Sequence, residues 1–295
     1  MYQVIQKRKI WLTVSGLMVG LSIAALAVWG LNFGIDFTGG SLIEVKFLNE
    51  RPAASEARQA LGDLDLGSLI VQPAGDDGMI FRFQDTAEEK HQQVLTALNR
   101  LSTIEELRYD SVGPSIGQEL KTKSLYAAVI VIIAIILYIA WSFRKVSKPV
   151  ASWKYGLAAN IALFHDVMIV LGVFAVLGEF AGVEVNTPFV AAILTVLGYS
   201  VNDTIVVFDR IRENLPKSGE DFENTVNISI NQTFSRSINT VLTTLLVLLS
   251  IFFFGGSTIR DFALALSIGV FVGAYSSIFL ASPILVIWEK LKNRV

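Results

Sequence analysis

Residues 188–208 read PFVAAILTVLGYSVNDTIVVF, an apolar run that contains a single carboxylate, Asp203. Crossing the ~30 Å hydrocarbon core of a bilayer takes about 20 predominantly apolar residues in a helix. Inside lipid a helix pairs all its backbone N–H and C=O groups within the segment, which an isolated strand cannot do. The run therefore predicts a membrane-spanning helix and sets the class of the whole chain.

Five further apolar runs of spanning length lie at about 10–31, 124–143, 155–177, 238–254 and 262–288. The 295 residues are 53% hydrophobic and only 17% charged, whereas soluble domains have roughly 25% charged residues. The first run exceeds the roughly 7–15 apolar residues of a secretory leader, so we interpret it as an uncleaved helix. We predict a membrane all-α bundle of six spanning helices, in which the fifth is the shortest and begins before Ile238.

Basic residues are concentrated in alternate connections between these helices. They follow the second and fourth helices and occupy the C-terminal tail: Arg144, Lys145, Lys148, Lys154, Arg210, Arg212, Lys217, Lys290, Lys292 and Arg294. The connection 178–187 has none, and 255–261 has only Arg260. Because basic loops stay on the cytoplasmic side, we expect both termini in the cytoplasm.

The segment between the first two helices has the composition of a soluble domain. The expected division is 1–31 for the N-terminal segment and first helix, 32–123 for an extracytoplasmic domain, and 124–295 for the other five helices. Within 32–123, alternation and turn residues predict strands at Ser41–Phe47, Ser68–Gln72, Met79–Phe83 and near Glu105–Val112. Helices are predicted from Pro52 through Leu61, and from a capping box at Thr86–Glu89 to about Leu101. The order β-α-β-β-α-β predicts a small ferredoxin-like α+β sandwich.

Ionisable residues inside spanning helices are the main candidates for function, because a charge at the bilayer centre costs at least ~2.5–3.5 kcal/mol. Asp203 lies within the fourth helix, and Arg236 is expected to open the fifth. Two polar stripes accompany them at helical spacing: Thr195, Tyr199 and Asn202 on one helix, and Gln232, Arg236, Asn239 and Thr243 on the other.

If the two stripes face each other, they form a polar path through the bundle. We expect Asp203, Arg236, Asn202 and Asn239 to act there as an ion relay. The alternative is structural: Asp203 and Arg236 form a static ion pair, or Arg236 extends to the membrane surface. Both readings remain open on the pattern alone.

Three other motifs are weaker candidates. His165 and Asp166 in the third helix are a possible second polar site, although a histidine bonded to a neighbouring helix is the simpler interpretation. The charged run Asp209, Arg210, Arg212 and Glu213 is most simply an interfacial cap. The sequence Asp36-Phe37-Thr38-Gly39-Gly40 predicts a tight turn into the first strand, with Gly39 and Gly40 at positive φ.

Several function classes are excluded by composition and motif. There is no cysteine, the two histidines leave little for a metal site, and the net charge is −2. These features argue against thiol catalysis, a zinc centre and a nucleic-acid partner. No phosphate-binding loop or hydrolase signature is present. We therefore expect no cofactor, no metal and no enzymatic activity, and an energy source other than nucleotide.

Taken in order, the motifs resemble the SecD/SecF family, and within it the smaller, SecF side. The similarity rests on DFTGG at 36–40, His165-Asp166, VNDTIVVFDRIREN at 201–214 and SRSINT at 235–240. It covers essentially the whole chain, and the 201–214 motif is its most specific part.

The resemblance implies an RND-like half, whose six helices pair with six of a SecD partner in a bacterial plasma membrane. It also implies a place beside the SecYEG translocon, where a proton or sodium motive force drives late preprotein export. Asp203 and Arg236 match positions that the family uses for ion conduction. One alternative is an RND-type exporter of small molecules or lipids, although such pumps have twelve spans and two large outer domains. The other is an intramembrane hydrolase that uses Asp203 with Asp166 or His165.

Overall fold

The computed structural model describes residues 2–84, 86–143 and 150–292. In chain order the elements are α1 (Arg8–Val28), α2 (Ile35–Thr38), β1 (Gly40–Phe47), α3 (Ala54–Ala60), β2 (Ile70–Ala74), β3 (Gly78–Phe83), α4 (Glu88–Leu101), β4 (Ile104–Val112), α5 (Pro114–Ser142), α6 (Ser152–Ala181), α7 (Thr187–Asn214), α8 (Phe222–Phe254), α9 (Ser257–Ser276) and α10 (Ser282–Lys292). A π-helical segment, Ser277–Ala281, joins α9 to α10. The chain forms two compact units, one of residues up to Asn32 and from Tyr126 onward, the other of Phe33–Leu125.

Six helices of the described chain are long and apolar enough to cross a membrane. They are α1, α5, α6, α7, α8 and the continuous helix Ile259–Leu291, which α9, the π segment and α10 form together. In the bundle α9 packs against α6, α7 and α8, and α1 packs along α6. The chain is therefore a multi-pass membrane protein, and the predicted six-helix bundle is confirmed.

The helix α8 differs from the prediction for the fifth span. It begins at Phe222 and has 33 residues, so the expectation that it is the shortest was wrong. Asp221 caps it, because its Oδ1 accepts a hydrogen bond from Asn224 N at 2.8 Å. The first half of α8 is rich in Asn, Ser and Thr, which lowers its hydropathy and hides it from a search for apolar runs. Arg236 consequently lies near the middle of α8 and does not open it.

The unit Phe33–Leu125 contains a four-stranded sheet in the order β2-β3-β1-β4, with all neighbours antiparallel. This order is that of the split β-α-β arrangement, so the ferredoxin-like prediction is confirmed. In the central strand β1, Ile43 and Val45 are fully buried. They pack with Phe81 of β3 and with Val94 and Leu98 of α4 to form the core.

Three details of this unit correct the sequence prediction. The strand β2 extends through Pro73, which is tolerated because β2 is an edge strand and the missing N–H need not face a neighbour. The predicted capping box at Thr86 is wrong, since α4 starts at Glu88 with Ala87 as its N-cap and no side-chain cap bond. The helix α3 starts at Ala54, after Pro52 rather than at it.

Several charged residues near the helix ends pair with one another. At the end of α7, Arg210 pairs with Glu213 at 2.9 Å and Arg212 pairs with Asp209. The Glu223 carboxylate at the start of α8 forms ion pairs with Arg8 and with Lys290 of α10. The Arg8 guanidinium nitrogen lies 2.5 Å from Glu223 Oε1. Four of the basic residues used to predict orientation lie outside the described residues: Arg144, Lys145, Lys148 and Arg294.

Candidate ion site in the helical bundle

Asp203 is a half-buried carboxylate in the middle part of α7, facing α8. Ser237 of α8 donates a hydrogen bond from its Oγ to Asp203 Oδ1 at 2.7 Å. The second oxygen, Oδ2, is buried and has no hydrogen-bond partner among the described residues. A buried carboxylate oxygen without a donor is unfavourable for the charged form, so this oxygen is a place where a cation or proton can be accepted.

Arg236 stands next to Ser237 on α8, but its side chain is exposed. Within the described chain, no ion pair joins Arg236 to Asp203. The static ion pair considered from the sequence is therefore not formed in this structure, and the direct partner of Asp203 is a serine that the sequence pattern did not single out.

The polar stripe predicted on α8 faces outward from this chain. Four of its members are exposed in spite of their place in a spanning helix: Gln232, Arg236, Asn239 and Thr243. Asn202 of α7 is exposed as well. Exposed amide, hydroxyl and guanidinium groups are unfavourable against lipid tails, so this surface needs a covering of protein or water.

The seam between α7 and α8 is polar along most of its length. On one side of Asp203, the Asn214 side-chain amide donates to Ser229 Oγ at 2.8 Å and to Gln232 Oε1 at 2.9 Å. On the other side, the Tyr199 hydroxyl lies 3.2 Å from Thr244 Oγ1. The seam between α7 and α8 is therefore hydrogen-bonded on both sides of Asp203. None of these bonds joins one predicted stripe to the other, and Arg236, Asn239 and Thr243 point out of the chain.

His165 and Asp166 form a separate cluster inside the bundle. The His165 Nδ1 lies 2.9 Å from Asp166 Oδ1. Asp166 Oδ2 accepts hydrogen bonds from Ser200 of α7 at 2.6 Å and from Ser276 of α9 at 2.8 Å. The bonds to neighbouring helices are thus made by the aspartate, whereas the simpler sequence interpretation gave them to the histidine. The two serines were missed because single serines are common in spanning helices.

The glycine box before β1 has the predicted conformation at its two glycines. Gly39 and Gly40 have φ values of 75° and 123°. An added Cβ on Gly40 would lie 2.5 Å from the Phe83 carbonyl oxygen, so a side chain is excluded by backbone contact as well. Asp36 lies just before them in the short helix α2. All of these residues belong to the smaller unit, Phe33–Leu125.

Within residues 2–84, 86–143 and 150–292, no group of three His, Asp or Glu side chains is placed to hold a metal ion. The chemistry available at Asp203 is reversible binding of a proton or of a small cation by one carboxylate oxygen, beside hydroxyl and amide groups.

Two family models match the chain. The one described as protein export membrane protein SecD/SecF, C-terminal, matches residues 91–291. The one described as the SecD/SecF GG motif matches residues 24–47, which include Gly39 and Gly40.

Curated relatives and solved structures agree with these models. The chain is 43% identical to the protein translocase subunit SecF of Thermobaculum terrenum, over 98% of this chain and 94% of that protein. It is 40% identical to the SecF of Anaerolinea thermophila, over 98% of this chain and 94% of that protein.

Among solved structures, the crystal structure of SecDF, a translocon-associated membrane protein from Thermus thermophilus, matches with a TM-score of 0.87 at 32% identity. A second SecDF structure, in a super-membrane-facing form, matches with a TM-score of 0.71 at 32% identity. The first match covers 98% of this chain and the second 99%, and this chain spans 39% of the length of either SecDF chain. The chain therefore belongs to the SecD/SecF family of protein-export membrane proteins, on its SecF side.

Proposed function

We propose that this chain is the SecF-type accessory subunit of a bacterial Sec protein-export translocase. Together with SecD, it uses the proton motive force, or a sodium gradient, to drive late translocation of a preprotein that has entered SecYEG. In this role it moves ions and domains and performs no enzymatic reaction. It lies in the plasma (inner) membrane with both termini in the cytoplasm and residues 32–123 outside.

The observation that carries this proposal is the unpaired, buried Oδ2 of Asp203 in a spanning helix. Around it the seam is hydrogen-bonded, from Asn214 at one end to Tyr199 at the other. A carboxylate whose second oxygen lacks a donor is destabilised when charged, and binding a proton removes that penalty. Asp203 is therefore the group on which a transported proton, or a cation in the sodium-driven case, is held.

The exposed polar stripe supports the choice of partner. Asn202 and the α8 residues Arg236 and Asn239 lie beside the Asp203 seam but face away from this chain. A second membrane subunit that covers them would close the polar path, with Arg236 as its fixed positive charge. The family supplies such a subunit in SecD, and the SecDF chains that match this one are long enough to hold both halves.

The membrane potential supplies enough energy for such a cycle. One elementary charge that crosses the membrane releases about 2.3 kcal/mol per 100 mV. Protonation of Asp203 can shift the equilibrium between two arrangements of the α7–α8 seam. Repeated cycles of proton binding and release then deliver work to the domain outside the membrane.

The test is export of a reporter preprotein into energised inverted vesicles that contain this chain with its SecD partner. Asp203→Asn removes the ionisable group at similar volume, and Arg236→Ala removes the charge of the stripe. We expect both variants to lose the part of export that an uncoupler abolishes in the wild type, because neither can complete the ion path. The part of export that resists the uncoupler is expected to remain.

A matched control is Asp209→Asn, the same substitution on the same helix, at a carboxylate that pairs with Arg212 at the helix end. It should keep the uncoupler-sensitive export. If Asp203→Asn assembles with SecD and also keeps that component, Asp203 is structural and the proposal is wrong.

A further inference from the structure

A second ionisable pair lies inside the bundle, away from the seam that carries the proposed relay. His165 and Asp166 occupy the middle of the 30-residue helix α6. They are 2% and 0% exposed. Their surroundings come entirely from this chain, whereas Asp203 lies beside a stripe that faces outward. An ionisable pair at this depth carries a large desolvation penalty unless its charges and hydrogen bonds balance.

Asp166 has the environment of an ionised carboxylate. Its Oδ2 accepts from two serine hydroxyls, those of Ser200 at 2.6 Å and Ser276 at 2.8 Å. Its Oδ1 lies 2.9 Å from His165 Nδ1. An ionised carboxylate only accepts hydrogen bonds, and here each of its oxygens has a donor available. The negative charge is thus held by three side chains from three helices.

The same arrangement leaves one ring nitrogen of His165 without a hydrogen-bond partner among the described residues. When Nδ1–H donates to Asp166, a neutral imidazole has its lone pair on Nε2. Nε2 is buried and has no hydrogen-bond partner among the described residues. Binding a proton at Nε2 converts the ring to imidazolium, and the His165–Asp166 pair then has no net charge. Inside a membrane a neutral pair is favoured over a lone buried anion.

In the described part of the chain, no other charged side chain is bonded to this pair. The elements packed against α6 are α1, α5, α7, α9, the π segment and α10. The charged side chains of α5 are Glu119, Lys121 and Lys123, and none of them bonds to the pair. From α9, the Tyr275 ring lies 6.0 Å from the His165 ring, and its hydroxyl donates to the Trp11 carbonyl oxygen at 3.2 Å. From α7, Asp203 bonds to α8 instead. The other charged residues described on these elements make no bond to the pair: Arg8, Lys9, Lys154, Glu179, Asp209, Arg210, Arg212, Glu213, Asp261, Arg260, Glu289 and Lys290.

Hydroxyl groups continue from the pair toward α7 and the π segment. Ser277, which begins that segment, lies 2.7 Å from Thr204 Oγ1 and donates to the Ser200 carbonyl oxygen at 3.4 Å. Thr204 follows Asp203 in the sequence. The hydroxyls that bind Asp166 thus lie beside the π segment, and π-helical turns occur often at functional sites.

We propose that the His165–Asp166 pair is a second proton-binding site, enclosed within this chain, at which the proton is carried on His165 Nε2. The proton comes from hydronium in the aqueous phase, one N–H bond forms at Nε2, and no other bond in the site changes. As a step in energy coupling the site rests on the proposed function, but proton binding itself is a property of this chain alone.

The test uses the full chain, labelled with ¹⁵N-histidine, in lipid vesicles. Since the chain has two histidines, the variant His91→Gln leaves a single histidine signal. We expect the ¹⁵N signal of His165 to change from neutral ring to imidazolium as the pH is lowered. In Asp166→Asn the imidazolium signal should be absent at each pH at which the parent chain shows it, because the neutralising charge is gone. Asp209→Asn, at a carboxylate that pairs with Arg212 at the end of α7, is the matched control and should leave the titration of His165 unchanged.

A His165 signal that stays neutral throughout would overturn the proposal, as would an imidazolium that persists in Asp166→Asn. If His91→Gln fails to fold, the wild type gives two signals, and His165→Gln identifies which one to follow. Failure of the proposed function appears elsewhere, as uncoupler-sensitive export that survives Asp203→Asn, so the two ideas are tested separately.

Discussion

Gly39 and Gly40 show how far the residue type alone determines the local backbone conformation. The sequence predicted positive φ at both, and the backbone has it. It did not reveal the close approach, since the neighbouring backbone is supplied by distant elements. An added Cβ on Gly39 would lie 2.8 Å from Pro114 Cα, and one on Gly40 would meet the end of β3. The pair thus brings together the start of β1, the end of β3 and the start of α5.

Gly40→Ala should destabilise the sheet of the smaller unit by about 1–3 kcal/mol, because alanine must adopt a disfavoured φ beside a carbonyl oxygen. The measurement is hydrogen–deuterium exchange of the β1 and β3 amides in the full-length protein in detergent, where protection should fall. Gly62→Ala is the control, as a Cβ there meets open space at an ordinary φ. Equal protection in the two variants would contradict this account.

At the scale of elements, the helix α8 was the least predictable part of the bundle. Its first half is polar because its side chains form hydrogen bonds with the N-terminal segment of the chain. Asn227 is buried, and its Oδ1 accepts from Val4 N at 3.0 Å and from Ile5 N at 3.3 Å. Asn231 bonds to the backbone N of Tyr2 at 2.7 Å. A hydropathy search misses the first half of α8, because the hydrogen-bond partners of its polar residues come from a segment far away in the sequence.

Asn227→Ala should lower the stability of the bundle, since each buried N–H left without a partner costs about 1–3 kcal/mol. We expect a lower melting temperature in detergent and faster proteolysis ahead of Arg8. Asn224→Ala lies one turn earlier on the same helix and loses only an exposed contact to Glu220, so it should change little. A similar loss in both variants would show that Asn227 has no special role.

At the scale of the whole molecule, six spans, the antiparallel sheet and the polar stripes could be predicted, because they depend on hydropathy and periodicity along the chain. The direction in which a stripe faces could not, because it depends on which helices pack together. The α8 stripe faces out of the chain, so under the proposed function we expect another protein to lie beside Asp203 and complete the site.

The absence of cysteine allows this to be tested by labelling single introduced thiols. In the chain alone in detergent, Asn239→Cys should react with a maleimide, and co-purification with SecD should protect it by about tenfold, because the stripe becomes an interface core. Leu137→Cys on α5, where the native side chain is 64% exposed and lies in an apolar helix, serves as the control and should react equally with and without SecD. Unchanged reactivity at Asn239→Cys would place SecD on a different face.

The π-helical turn at Ser277–Ala281 divides the last span into α9 and α10. The side-chain positions of α10 are rotated about the helix axis relative to those of α9. A π turn holds one residue more than an α turn, and one residue corresponds to about 100° of rotation. The face that α9 presents to the bundle therefore cannot be extrapolated along α10 by counting in threes and fours.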